Sequence, residues 1–123
     1  MMNLYRYKTI IALMLLLAAA YGFKLPAEQG SFLVIEVGET EVLELDADTY
    51  NGYEWIVSKI DDPTLIKYEG KEFEYGDKNT DLSVQKMKFK GLKKGRTNMK
   101  LDYIKQGEQL PKKSKTIKVS VYN

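Results

Sequence analysis

From residue 32 onward, apolar and polar positions alternate along the chain with a period near two. Phe32-Leu33-Val34-Ile35-Glu36-Val37 is dense in β-formers and stops at Gly38. Val42-Leu43-Glu44-Leu45 follows after a short turn, then Tyr53-Glu54-Trp55-Ile56-Val57, which ends near Asp61-Asp62-Pro63. Leu65-Ile66-Lys67-Tyr68 reads as a short strand bounded by Gly70, with a further fragment at Phe73 and Tyr75. Downstream the alternation is strict over residues 84–90, 99–104 and 117–122. Alternation of this kind marks half-buried strands, one face in a core and the other in water. Six to eight such strands at short spacing predict an all-β antiparallel sandwich. Within it the pattern predicts no helix beyond a single turn at residues 61–65. Trp55, Phe89, Leu101 and Val119 are expected inside.

The first two dozen residues follow another rule. Arg6 and Lys8 precede an apolar run over residues 10–20, and small residues follow at Ala18, Ala19, Ala20 and Gly22. That order predicts a secretory signal over residues 1–22, leaving a domain over 23–123. The apolar run is short for a membrane span, which needs roughly 20 residues. The expected destination is the secretory pathway, a lysosome-like compartment or the outside of the cell, with no membrane attachment after signal removal.

Removing the signal changes the charge balance. Arg6 and Lys8 leave with it, so 17 of the 19 basic residues remain against 17 acidic ones. A neutral domain offers no electrostatic case for nucleic acid or an anionic membrane. The neutrality is uneven, because residues 28–81 hold 15 acidic side chains and four lysines, and residues 82–123 hold 12 basic and two acidic. Strands of the two halves are expected side by side, pairing opposite charges across them. Lys86, Lys88 and Lys90 then form the wet face of one strand.

The chain contains neither His nor Cys. Thiolate nucleophiles, a Ser-His-Asp triad and a Cys/His zinc site are therefore excluded. Asp46 with Asp48, Asp61 with Asp62 and Glu72 with Glu74 are paired carboxylates without the ligand spacing of a calcium loop. The expectation is a protein that is no enzyme and takes no cofactor or metal. Asp46-Ala47-Asp48-Thr49-Tyr50-Asn51-Gly52-Tyr53-Glu54-Trp55 stands out instead. Asn-Gly favours positive φ and tight turns. The polar segment ahead of it is too long for a two-residue hairpin, so a presented loop on two stiff strands is expected.

These features in this order resemble the chagasin-type inhibitors of papain-like cysteine peptidases. The residues that carry the likeness are Val37-Gly38-Glu39, the glycine loop before Tyr53-Glu54-Trp55, the stretch Met87-Lys88-Phe89-Lys90-Gly91-Leu92-Lys93-Lys94-Gly95, and the strand ending at Tyr103. The likeness covers about residues 31–122. It implies an immunoglobulin-like sandwich of about seven to eight strands whose three end loops wedge into a peptidase cleft. The family's first loop reads Asn-Pro-Thr-Thr-Gly, and its place is taken here by Asp48, Thr49, Tyr50, Asn51 and Gly52. The second loop falls near Asn79, Thr80, Asp81 and Leu82 and lacks the family's glycines. The third, Arg-Pro-aromatic in the family, is Lys105, Gln106 and Gly107 here. The resemblance thus implies a monomeric, reversible inhibitor of a cathepsin-like cysteine peptidase. The framework matches better than the loop motifs, and a secreted adhesion or interaction module on the same sandwich is the alternative.

Overall fold

The structure, a computed structural model, describes residues 31–123. The predicted signal over residues 1–22 lies outside the described residues. Seven strands run in chain order: β1 Phe32–Glu36, β2 Thr40–Ala47, β3 Tyr53–Ile60, β4 Ile66–Glu74, β5 Ser83–Gly91, β6 Gly95–Lys105 and β7 Lys113–Tyr122. They form two facing sheets, one ordered β1-β7-β6-β3 and the other β2-β5-β4. The alternation read from the sequence sets which side chains meet between them. Gln85, Met87 and Phe89 of β5 point inward, as do Met99, Leu101 and Tyr103 of β6 and Ile117, Val119 and Val121 of β7. Trp55, Phe89, Leu101 and Val119 are all buried, as expected.

Three departures from the sequence reading shape the framework. The two fragments at 65–68 and 73–75 are one strand, β4, whose pairing with β5 shifts register between Tyr68 and Gly70. A bulge at glycine bends a strand without ending it. Secondly, β1 pairs with β7 in parallel, whereas the other strand pairs are antiparallel. Beyond Glu36 the chain crosses to the other sheet, with Val37 bridging Gly91 and the Gly38 amide donating to the Gly91 carbonyl at 2.8 Å. Thirdly, residues 63–65 form a hydrogen-bonded turn rather than a helical one, with the Leu65 amide donating to the Asp62 carbonyl at 3.3 Å.

The charge interleaving holds at Lys86 and fails at Lys100. Strand β5 lies between the acidic strands, so Lys86 is aligned with Glu44 and Glu72 and bridges Glu74 at 3.2 Å. Lys100, however, aligns with Lys59 and reaches Asp102 on its own strand. On β7, Lys118 aligns with Phe32 and Asn98, because β7 sits between β1 and β6. Sheet order, which alternation does not encode, is the reason.

One buried polar residue fastens the sheets together. Strand β3 is an edge strand. The Gln85 side chain reaches across from the other sheet, accepting from the Trp55 amide at 2.7 Å and donating to the Trp55 carbonyl at 2.7 Å. Gln85 thus does for Trp55 what a neighbouring strand would do, and its own burial is fully compensated. The Trp55 indole donates to the Asp46 carbonyl at 2.9 Å, which ties β3 to β2 as well.

Candidate functional site

Three loops meet at the end of the sandwich where β2, β4 and β6 finish and β3, β5 and β7 begin. Strand β2 continues to Ala47, two residues past the expected end, so the first loop holds only residues 48–52. Thr49–Asn51 form one 3-10 turn, closed by Gly52 at φ 86. The Asp48 carbonyl accepts from the Asn51 and Tyr53 amides, and the Thr49 carbonyl from the Gly52 amide. Asn51 also donates its side-chain amide to the Asp48 carboxylate at 2.8 Å. A residue with Cβ resists that positive φ, so glycine defines the turn.

Each neighbour of this loop is connected to it. The Asp48 amide donates to the Tyr103 hydroxyl at 2.6 Å, and Thr49 and Ser83 share a hydroxyl bond at 2.5 Å. Burial pushes the Tyr103 phenol above its ordinary pKa, against the opposing effect of the Asp48 amide. Toward the second loop, the Tyr50 hydroxyl donates to the Gly76 carbonyl at 2.8 Å, and its ring meets Tyr75 edge-on at 6.5 Å. Toward the third, the Gln106 amide donates to the Gly52 carbonyl at 2.9 Å. The second loop is itself tied, with the Asp81 amide donating to the Lys78 carbonyl and the Lys78 amide to the Asp81 carboxylate. A Cβ on Gly76 would lie 2.4 Å from that of Asp81, so the loop closes only around glycine.

The structure therefore brings together Asp48, Thr49, Tyr50, Asn51 and Gly52 with Asn79, Thr80, Asp81 and Leu82 and with Lys105, Gln106 and Gly107. Asn51, Asn79, Thr80, Lys105, Gln106 and Gly107 are exposed. Tyr50 stands half in solvent, but its hydroxyl is committed to Gly76, so it braces the loops as well as presenting a ring. The sequence places Tyr75 in a strand fragment and outside the three loops, and gives Leu110 no role. Both are exposed, at 62% and 81%, and with Tyr50 and Leu82 they put a large apolar side chain on each loop. Leu110 carried a legible signal, since it is the one large apolar residue in an otherwise polar segment, Gln106-Gly107-Glu108-Gln109-Leu110-Pro111. Among the described residues, no cluster of acidic or metal-ligating side chains could hold a metal ion.

A family model described as "Chagasin family peptidase inhibitor I42" matches residues 34–121, from within β1 to within β7. The chain belongs to the chagasin family of peptidase inhibitors. Membership in an inhibitor family agrees with the sequence reading that the protein is no enzyme. Two solved structures share the fold. The cysteine protease inhibitor EhICP2 of Entamoeba histolytica superposes with a TM-score of 0.60 at 21% identity, over 76% of this chain and 88% of that one. Amebosin gives 0.59 at 18% identity, over 79% and 94%. No curated protein matches the chain in sequence.

Proposed function

We propose that this chagasin-family protein reversibly inhibits papain-like cysteine peptidases by seating its three-loop tip in their active-site cleft. The observation that carries the reading is the conformation of the first loop. A peptidase cleaves a peptide whose scissile carbonyl is aligned with its nucleophile. Here residues 49–51 are wound into a 3-10 turn, and the Asp48, Thr49 and Gly52 carbonyls are already hydrogen-bonded within the tip. The loop can occupy the cleft without offering an extended, cleavable strand. Family membership and the likeness to EhICP2 and amebosin support the same reading.

The loop lacks the family's proline, and stiffness comes from elsewhere. Tyr50, Tyr103, Ser83 and Gln106 hold it from three sides. Such bracing lowers the ordering cost of docking, the service a proline otherwise performs. The Tyr50, Leu82 and Leu110 side chains supply the apolar contact and Asn51 a hydrogen-bonding group over the catalytic thiolate. The protein acts as a monomer on cathepsin-like enzymes, in the secretory pathway or outside the cell, a placement that rests on the basic-apolar-small order of residues 1–22. Titration of the mature domain against a panel of papain-like peptidases tests the proposal. The expected result is stoichiometric, reversible inhibition with the loop uncleaved. Absence of inhibition at micromolar protein across the panel would overturn it in favour of an interaction module.

A further inference from the structure

At the tip, strand β7 breaks the alternation that builds the rest of the core. Lys113 and Lys115 have the same parity as Ile117, Val119 and Val121, and so lie on the inward face of their sheet. They align with Tyr103 and Leu101, next to the row formed by Trp55 and Tyr53. Tyr53, Tyr103 and Trp55 form a continuous aromatic stack, with centroids 5.0 and 4.8 Å apart. Lysine ammonium groups gather on it. Lys113 lies 5.0 Å from the Tyr103 ring centroid, Lys112 5.2 Å and Lys105 5.9 Å from Tyr53, and Lys115 6.0 Å from Trp55. Among the described residues, no ion pair neutralises Lys105, Lys112 or Lys113.

Like charges placed this close repel, and the rings offset only part of that repulsion. A solvated lysine face would need neither the inward parity nor the aromatic floor. The patch is continuous with the docking tip, since Lys105 ends β6, the Gln106 amide bonds Gly52, and Lys112 donates its amide to the Tyr103 carbonyl. A partner seated on the first and third loops meets it at its edge. The opposite side of the tip carries Asp77 and Asp81 around Lys78.

We infer that Lys105, Lys112 and Lys113 form a basic rim that docks against acidic side chains flanking the cleft of the target peptidase, selecting acidic-rimmed enzymes and fixing the inhibitor's orientation. The inference rests on the inhibitor reading above. Charge placed at the edge of an interface acts mainly through the association rate and is screened by salt.

The test compares the unaltered protein with a Lys112→Glu/Lys113→Glu variant and a Lys112→Arg/Lys113→Arg variant. Association and dissociation rates are measured against one papain-like peptidase with an acidic cleft rim and one with a basic rim, at low and high salt, with thermal melts confirming the fold. The glutamate variant should bind the acidic-rimmed enzyme about tenfold more slowly or worse at low salt. The difference should shrink at high salt, the basic-rimmed enzyme should not be slowed, and the arginine variant should match the unaltered protein. An association rate that is unchanged, or slowed equally for both enzymes, overturns the rim while leaving the inhibitor reading intact. An unchanged rate with lost retention on a heparin column reassigns the patch to anionic polysaccharide and overturns it equally. Failure of the unaltered protein to inhibit either enzyme overturns the inhibitor reading itself.

Discussion

At the residue scale, single side chains at the tip carry separable tasks. Gly52 sets the turn, and Gly52→Val should leave a cooperative fold but weaken peptidase inhibition at least tenfold, since positive φ costs a β-branched residue about 1–2 kcal/mol or a rearranged loop. Tyr50 joins two loops through one neutral hydrogen bond. Tyr50→Phe should raise the inhibition constant about fivefold, the equivalent of roughly 1 kcal/mol. Tyr50→Ala, which also removes the exposed ring, should cost 30-fold or about 2 kcal/mol. Equal inhibition by all three proteins would refute the bracing role. Gln85 works for stability instead. Gln85→Leu strands the buried amide and carbonyl of Trp55, so denaturant unfolding should show a loss of about 3 kcal/mol with no direct effect on the tip.

At the element scale, the sandwich depends on β3, which is paired on one side only. Trp55 holds it in place through its ring against Tyr103 and its indole bond to Asp46. Trp55→Ala should therefore cost about 3–5 kcal/mol in denaturant unfolding. A loss under 1 kcal/mol would mean that the edge is held by Gln85 and by the Lys71–Glu54 ion pair to β4 alone. The second loop is a different kind of element, closed by backbone contact. Gly76→Ala drives a Cβ into Asp81 and must move the carbonyl that receives Tyr50. Inhibition should fall more than stability does, and calorimetry beside an inhibition titration separates the two.

For the whole molecule, the absence of histidine has a direct consequence. No side chain has an ordinary pKa between pH 5 and 8, so the melting temperature should be nearly constant across that range. An inhibitor of this kind keeps its shape in acidic and neutral compartments alike. Alkaline pH is different. Burial raises the pKa of Tyr68 and Tyr103 in the folded state. A raised folded pKa means stability that is complete below the unfolded value of about 10 and lost as pH rises through the folded value. The Glu74 hydrogen bond and charge raise Lys86 in the same direction. Melts should therefore decline above pH 10, and a decline beginning at pH 8 would contradict these assignments.

The sequence alone determined where most strands run and which of their side chains face inward, because period-two alternation is a local property that burial reads directly. Trp55, Phe89, Leu101 and Val119 were legible for that reason, as was the turn at Asn51-Gly52. Family membership was legible too, through glycines and aromatics at fixed spacing, even where the loop motifs had changed. What only the tertiary structure decided depends on which strands are neighbours. The parallel pairing of β1 with β7, the continuity of β4 through its bulge, and the charge interleaving at Lys86 all follow from sheet order. So do the Tyr50 hydroxyl on Gly76, the Gln85 amide on Trp55 and the lysines over Tyr53 and Tyr103. The Tyr50–Gly76 and Gln85–Trp55 contacts join residues 26 and 30 positions apart, and no local pattern encodes them. They arise when burial closes the two sheets on one another and the loops at one end come within hydrogen-bonding reach.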